Sequence, residues 1–334
     1  GLAMVSIGVS LFFAEISGSA VADVAALGSI LIPEMKKRGY GAPFAAAVTS
    51  SSASLAIIIP PSIPMILYAV SANTSVEQLF VAGFIPGLMG AIGLMGVSWW
   101  FARRYNLPVE EAFNWPRLRH AAIEAGPTFL LPIIILGGIF GGFVTATEAA
   151  GLAVLAAIGV GIWYREVDFR QLHRAMLEGG MQTAVVMVLV AASVLMGGFL
   201  TRAQIPQELA AQMVAFTDSK YVILLILNVF FLIIGFFLHS AAAIILVVPI
   251  VVPLIQQVGI DPVHFGLVVT LNLAIGQQTP PVASVLITAC SIARANIWEV
   301  TRVNLPFIAV LVGVLLICTY VPAIPMFLVE LFYR

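Results

Sequence analysis

Two stretches decide the architecture: TSSSASLAIIIPP at residues 49–61 and VTLNLAIGQQTPP at residues 269–281. Each is an apolar run that carries small hydroxyl or amide side chains and ends on a proline pair. Proline lacks an amide proton and its ring collides with the carbonyl one turn back. A helix reaching Pro60-Pro61 or Pro280-Pro281 therefore breaks and leaves carbonyl oxygens without helical partners. Both stretches lie in long apolar segments, 43–72 and 263–293, and a bilayer core about 30 Å thick needs only about 20 residues at 1.5 Å each. Broken backbone at membrane depth is tolerated where it is buried in protein or lines a cavity. The two stretches predict an all-α polytopic membrane protein with an internal polar site.

Composition agrees. The 334 residues are 61% hydrophobic and 9% charged, with a mean hydropathy of +1.09, against roughly 45–50% and about 25% in soluble domains. Fifteen basic and sixteen acidic side chains are too few to clothe a soluble domain of this size, which argues against a soluble enzyme, a nucleic-acid binder and a disordered scaffold. Cys290 and Cys318 sit in apolar runs without metal-ligand spacing and read as core residues. Further spans are expected at 80–102, 127–143, 147–164, 181–201 and 303–327. Two stretches differ. Residues 2–14 and 21–33 flank Glu15–Ser19, and 222–235 and 241–254 flank Phe236–Ser240. Their arms look too short to cross and read as re-entrant hairpins with small or polar tips. Gly1 opens inside an apolar run, so N-terminal spans of a longer protein are expected to be missing.

Threading the crossings from Lys36-Lys37-Arg38 as cytoplasmic puts Arg103, Arg104, Arg117, Arg119, Arg165, Arg170, Arg174, Arg294 and Arg302 on that side too, 12 of 15 basic residues. That asymmetry is what cytoplasmic loops show. Arg202, Lys220 and Arg334 fall outside it. Residues 116–125 and 168–178 alternate basic and apolar positions, as interfacial helices or as solvated connectors.

The prolines also reveal a repeat. Pro33 and Pro253, Pro60 and Pro280, Pro61 and Pro281, and Pro86 and Pro306 are each 220 residues apart, as are Gly39 and Gly259. Within one residue, Ser19-Ala20 matches Ser240-Ala241, and a capping box Ser75-x-x-Gln78 matches Asn296-x-x-Glu299. Five crossings and a hairpin between the copies invert one relative to the other, and inverted pairs of broken elements meet at a midplane site in many transporters. The division expected is 1–78 for the first transport-domain repeat (hairpin 1–33, broken helix 43–72) and 79–219 for spans and arms of a scaffold. Residues 220–302 would form the second repeat (hairpin 221–254, broken helix 263–293) and 303–334 a C-terminal span.

Freed carbonyls together with Ser, Thr and Asn oxygens make neutral, hard-oxygen cages suited to Na⁺, and half-helix N-termini suit an anionic group. The candidates are Ser51, Ser52 and Ser54 before the first break, and Asn272, Gly276 and Thr279 before the second. The tips Ser17-Gly18-Ser19 and His239-Ser240 supply the facing walls. Glu15, Asp23 and Glu148 are the acids nearest the membrane interior, where burial is costly enough to mark function. Glu15, Asp23 and His239 are the candidates for a proton or other coupling step; Glu148 sits beside a turn and also reads as a helix cap.

The segments SGSAVADVAALGSILIPEMKKRGY, IIIPPSIPMILYAV with LFVAGFIPG, GGFVTATEAAG and VGIDPVHFGLVVTLNLAIGQQTPPV together resemble the large membrane (M) subunit of tripartite ATP-independent periplasmic (TRAP) transporters. The resemblance covers nearly the whole chain. It implies an elevator-type secondary transporter of the bacterial inner membrane. Such a subunit works with a small membrane subunit (Q-type) and a periplasmic substrate-binding protein (P-type), imports an organic acid anion such as a dicarboxylate or sialic acid, and uses Na⁺ as coupling ion without an organic cofactor. By that resemblance, Ser17, Gly18 and Ser19 with Ser51, Ser52 and Ser54 form one sodium site. Ser240, Ala241 and Ala242 with Asn272, Gly276 and Thr279 form the other. Substrate would lie between the tips, against Ser17, Ser19, Pro60, Pro61, Ser240, Thr279, Pro280 and Pro281. His239-Ser240 departs from the small or acidic residue common at that tip.

Three rivals are weaker. A stand-alone sodium-coupled anion carrier would share the hairpin plan without a binding protein. An intramembrane hydrolase using Ser17 or Ser19 with His239 lacks a nucleophile motif and an orienting acid. A purely structural scaffold would make two broken helices a costly design.

Overall fold

The computed structural model describes residues 1–105, 114–205, 207, 208, 211, 212, 217 and 219–333. Arg334 and the side chain of Arg117, both used in the charge reading, lie outside the described residues. Every regular element among them is helical.

Among the described residues sixteen α-helices form: α1 (Leu2–Ser17), α2 (Ala20–Lys37), α3 (Ala42–Ala53), α4 (Ile63–Ala72), α5 (Val76–Arg104), α6 (Trp115–Glu124), α7 (Gly126–Pro132), α8 (Gly138–Phe140), α9 (Ala146–Trp163), α10 (Phe169–Arg202), α11 (Lys220–Phe237), α12 (Ser240–Gln257), α13 (Pro262–Gly276), α14 (Ser284–Ala293), α15 (Ile297–Tyr320) and α16 (Ala323–Tyr333). Among the described residues six helices are long and apolar enough to cross a membrane, or seven spans if the bent stretch from Leu118 to Phe140 counts as one. The chain is thus a multi-pass membrane protein.

Two compact units form, one of Gly1–Val109 with Val190–Arg334 and one of Glu110–Leu189. In the smaller, a bend of 63° separates Leu118–Glu124 from Gly126–Phe140, and a π-helical turn at Ile133–Gly137 joins α7 to α8. Thr145 and Glu148 close a reciprocal capping box at the start of α9, with Thr145 N donating to Glu148 Oε2 at 2.8 Å. Glu148 is therefore the helix cap that its position beside a turn suggested.

The larger unit is organised around α3 and α13. Every residue from Phe44 to Ala53 and from Val263 to Gly276 is buried, the polar Thr49, Ser50, Ser51, Ser52, His264, Thr270 and Asn272 included, so both helices are enclosed on all sides. Hairpin arm α1 packs on α3 and arm α11 on α13, while the second arm α2 packs on both α3 and α14 and α12 packs mainly on α4. Both proline pairs interrupt their helices where expected. α3 tightens into a 3₁₀ turn at Ser54–Ile57 and resumes at Ile63, and α13 stops at Gly276 and resumes at Ser284. The Pro60-Pro61 and Pro280-Pro281 bonds are both cis.

Three expectations need correction. α11 and α12 have 18 residues each, about 27 Å at 1.5 Å per residue, and both qualify as spans; the arms are not too short to cross. Counting only apolar residues dropped the polar end turns, Lys220 at one and Gln256-Gln257 at the other. Residues 168–178 are not a separate interfacial helix but the first part of the 34-residue α10. The run 303–327 is two helices, because Pro322 follows Val321 where α15 ends. One cap also shifts: Ser75 Oγ accepts from Gln78 N as the capping pattern requires, whereas Asn296 accepts from Trp298 N rather than from Glu299. Cys290 and Cys318 are free and buried.

Candidate functional site

The tip between α1 and α2 is shaped by Gly18, whose φ of 61° is the left-handed region open to glycine. Its carbonyl accepts from Ile63 N at 3.3 Å, just past the first break, and a Cβ on Gly18 would stand 2.7 Å from Pro61 O. The second hairpin does the equivalent: Val282 N, just past the second break, donates to Phe236 O at 3.2 Å. Beneath that contact Gly235 and Gly276 touch backbone to backbone, so a Cβ on Gly276 would lie 2.6 Å from Gly235 Cα. Each tip is thus seated on the broken helix of its own half of the sequence.

The two seats share one cavity of about 30 Å³, lined by Ser19, Ile63, His239, Ser240, Ala241 and Gln277 among others. The space is that of roughly one water. Ser19, Ser240 and Ala241, read from sequence at opposite tips, are therefore brought together. Helix α2 starts there without a side-chain cap, and α12 starts there with His239 Nδ1 accepting from Ala241 N at 3.4 Å.

The first-break hydroxyls turn elsewhere. Ser51 Oγ lies 2.9 Å from Gln278 Oε1 and 2.5 Å from Asn304 Oδ1, so its single proton is shared between two amide oxygens. Gln278 Nε2 donates to Ser54 Oγ at 2.6 Å, and Ser54 Oγ donates to Ser51 O at 2.7 Å. Ser52 Oγ is 2.9 Å from Ser10 Oγ on α1. Ser17 Oγ accepts from Ser19 N at 3.2 Å and donates to Asp23 Oδ1. Asp23 is fully buried, and its Oδ2 has no hydrogen-bond donor among the described residues. Neither serine of the first tip is paired with His239 among the described hydrogen bonds.

Near the second break, Asn272 Nδ2 donates to Asn228 Oδ1 at 2.7 Å and Val268 O at 2.8 Å, while its buried Oδ1 accepts from nothing among the described residues. Asn228 Nδ2 continues the chain to Thr319 Oγ1 at 3.1 Å. Thr279 Oγ1 donates to Ile275 O at 3.0 Å and keeps its lone pairs for another ligand. An orphaned amide oxygen, a hydroxyl oxygen and a glycine backbone held too closely for any Cβ are hard, neutral donors of the kind a sodium ion takes. Ala242 is half-buried, and Pro281 is more exposed than Pro60. Glu15 lines a different cavity of about 250 Å³ with Leu11, Ile59, Phe84 and Leu88.

Sequence reading passed over Ser10, Asn228 and Asn304, and it quoted Gln277 and Gln278 at the second break without giving either a role. Asn228 and Asn304 carried a usable signal, since isolated amides inside apolar runs mark interhelical contacts or pathways.

An all-helical membrane protein in which two hairpin tips meet two proline-broken helices around a small polar cavity is built like a transporter core. Residues 1–324 match the family model described as tripartite ATP-independent periplasmic transporter, DctM component, and the chain belongs to that family. It is 42% identical over 329 residues to an isethionate TRAP transporter permease protein of Oleidesulfovibrio alaskensis, covering 98% of this chain and 52% of that one. It is 37% identical to a C4-dicarboxylate TRAP transporter large permease of Pseudomonas aeruginosa and 36% identical to a sialic acid TRAP transporter large permease of Vibrio cholerae, covering 97% and 99% of this chain and 76% and 78% of those. The chain thus spans about half the length of the first relative and about three quarters of the others. Membership places it among permease components of the bacterial inner membrane, a transporter family and not an enzyme family.

Proposed function

We propose that the chain is the large membrane permease component of a Na⁺-coupled secondary transporter that imports a small organic acid anion. The observation that carries this reading is the convergence of both hairpin tips and both helix breaks on one cavity. Two inverted repeats, each a hairpin, a broken helix and a long helix with a proline in its second turn or beyond, account for the offset of 220 and for the crossed packing of α2 on α14 and α12 on α4. The hairpins are re-entrant in this reading because their tips sit on helix breaks rather than at a surface.

Asn272, Thr279 and the Gly276 backbone, facing Ser240, Ala241 and Ala242, would hold one sodium ion. Ser17, Gly18 and Ser19 with the freed carbonyls around Ser51, Ser52 and Ser54 would hold another. Sodium supplies the driving gradient when bound. The protein's own part is to seat each tip, complete the substrate cavity between Ser19 and Ser240, and then move the loaded domain, formed of 1–78 and 220–302, against a scaffold of 79–219 and 303–334. Ion binding shifts this equilibrium only by its tighter grip on the seated state. The names of the relatives, which span isethionate, C4-dicarboxylate and sialic acid, support an anionic substrate, its delivery by a periplasmic binding protein, and a small membrane partner.

The test is uptake of labelled small anions into proteoliposomes holding the full-length complex, with and without binding protein and an inward Na⁺ gradient. Uptake that requires both is expected. Uptake indifferent to Na⁺ would sink the sodium cages and return attention to Glu15, Asp23 and His239 as a proton path.

A further inference from the structure

A cavity of about 250 Å³ lies beside the first break and shares no lining residue with the space between the tips. Leu11 and Glu15 of α1, Ile59 at the break, Phe84 and Leu88 of α5 and Leu328 of α16 line it. On one side it is closed by packing, since Ile59 rests so tightly on α5 that a Cβ on Gly87 would stand 2.5 Å from Ile59 Cγ1. Leu88, 55% exposed, puts another wall at the protein surface.

Among the lining residues only Glu15 is ionisable. It is half-buried and has no hydrogen bond or ion pair among the described residues. A carboxylate in apolar surroundings is costly unless it is paired, and the rest of the cavity defines what can pair with it. The space is that of about eight waters, and an apolar cavity of about 150 Å³ already takes benzene, so an aromatic ring with a short tail fits. A metal ion would find one carboxylate where it needs several oxygens. An anion would be repelled, and a neutral hydrocarbon would leave Glu15 unpaired.

We propose that this cavity binds a small organic cation, a primary ammonium on a short arylalkyl body, with Glu15 as its counter-ion and Phe84 and the aliphatic wall around the ring. A charge-assisted N–H···O bond is roughly twice as strong as a neutral one, and burial of the ring against Phe84 adds to it. The occupant is a free amine and not a lipid headgroup, because Glu15 stands two residues before Ser17, the last residue of α1, and in the hairpin reading that tip is held away from the membrane surface. Leu11, Glu15 and Ile59 belong to the domain read as mobile, and Phe84, Leu88 and Leu328 to the part read as scaffold. Resting on that reading, a bound amine holds the two together and inhibits transport.

The experiment is equilibrium dialysis of labelled phenethylamine, protonated at about pH 7, against the purified full-length complex in phosphatidylcholine nanodiscs, with empty nanodiscs as the blank. Saturable binding is expected, with neutral phenethyl alcohol competing about tenfold or more weakly and hydrocinnamate not competing. Glu15→Gln should bring amine and alcohol to similar affinity. Leu88→Trp, which fills the cavity and keeps the carboxylate, should weaken both. No saturable binding at millimolar concentration, alcohol binding as tight as the amine, or an amine preference that survives Glu15→Gln would each overturn the proposal. Affinity lost in phosphatidylethanolamine nanodiscs would make a lipid amine the occupant and overturn it too. Uptake should be inhibited over the concentrations that bind, without relief by added substrate; binding without inhibition would break the mobile-domain reading and leave the cation site standing.

Discussion

The two helix breaks differ in where they keep their polar atoms. In the first, Ser50, Ser51, Ser52 and Ser54 lie one to three turns before the prolines, and the residues next to the break are Ile57, Ile58 and Ile59. At the equivalent places in the second, the polar residues are Gln277, Gln278 and Thr279 at the break itself, with Asn272 opposite Ser52 in the alignment of repeats. The halves are therefore complementary rather than interchangeable. Gln278 of the second break reaches Ser51 and Ser54 of the first, and Asn304 closes the cluster. Each half also ties its first hairpin arm to its broken helix, through Ser10 and Ser52 in one case and Asn228 and Asn272 in the other. The first tie is between two hydroxyls, and the second leaves an amide oxygen over. In the sodium reading proposed above, that surplus oxygen is the second break's offer to an ion, where the first half's unpaired oxygens include those of Thr49 and Asp23.

The sharpest way to break this comparison is to remove the aligned pair. Asn272→Ala deletes the orphaned Oδ1 and strands Asn228, so a rise of about 100-fold in half-saturating Na⁺ or loss of uptake is expected, the upper range of coupling between sites being on the order of 3 kcal/mol. Ser52→Ala removes a hydroxyl pair whose net worth is about 1 kcal/mol, so uptake should fall by less than about tenfold. Sodium-titrated uptake in proteoliposomes checks both, and equal effects would mean that the breaks share the ion-binding role evenly.

The cross-link between halves comes next. Gln278→Leu leaves Ser54 Oγ without its donor and Asn304 Nδ2 without its acceptor in a fully buried place. A loss of about 2–3 kcal/mol is expected, read as a lower melting temperature of the purified protein. A double-mutant cycle with Ser54→Ala should return a coupling of about 1 kcal/mol. Additive effects would show that the two halves are packed together but not tied.

How much of this was legible follows from the same contrast. Proline pairs, span lengths and the repeat are properties of backbone and hydropathy, and each is written locally. The breaks fell where the prolines put them. The arm lengths of the second hairpin went wrong because hydropathy sees only the apolar middle of a helix, and polar end turns such as Gln256-Gln257 are helical all the same. Partners across the fold are not written locally at all. Nothing in the run from Ser50 to Ser54 says that its hydroxyls will be met by an amide 224 residues later, or that Ser17 will turn back to Asp23. Those pairings depend on which helices the packing brings together.

The two tip seats provide a third comparison. Gly18→Ala meets both a left-handed φ and Pro61 O at 2.7 Å, whereas Gly276→Ala meets only the Gly235 backbone at about the same distance. The left-handed conformation adds about 1–2 kcal/mol for a residue with a Cβ, so the first substitution should be the more damaging to the melting temperature by that margin. Similar losses would mean that the first tip relaxes its backbone when pushed.

The smallest effect concerns the residues that restart each broken helix. Ala283 precedes α14 with a φ of 42°, a left-handed conformation, and offers no side-chain cap, while at the first break Ser62 caps α4 through Met65 N at 3.4 Å. Ala283→Gly removes a penalty of about 1–2 kcal/mol and adds the greater unfolded-state entropy of glycine, about 0.4–1 kcal/mol. A net gain of about 0.5–1 kcal/mol should remain, visible as a rise in melting temperature. The position 220 residues earlier, Ile63, shows no positive φ and opens α4, so Ile63→Gly gains nothing in backbone strain and loses helix propensity, with an expected cost of about 1 kcal/mol. Opposite signs at the two equivalent positions would show that the breaks restart their helices by different local means, one by a capping serine and one by a strained alanine. If both glycine variants destabilise, the contact of Ala283 with its neighbours outweighs its backbone strain, and the second restart is held by packing.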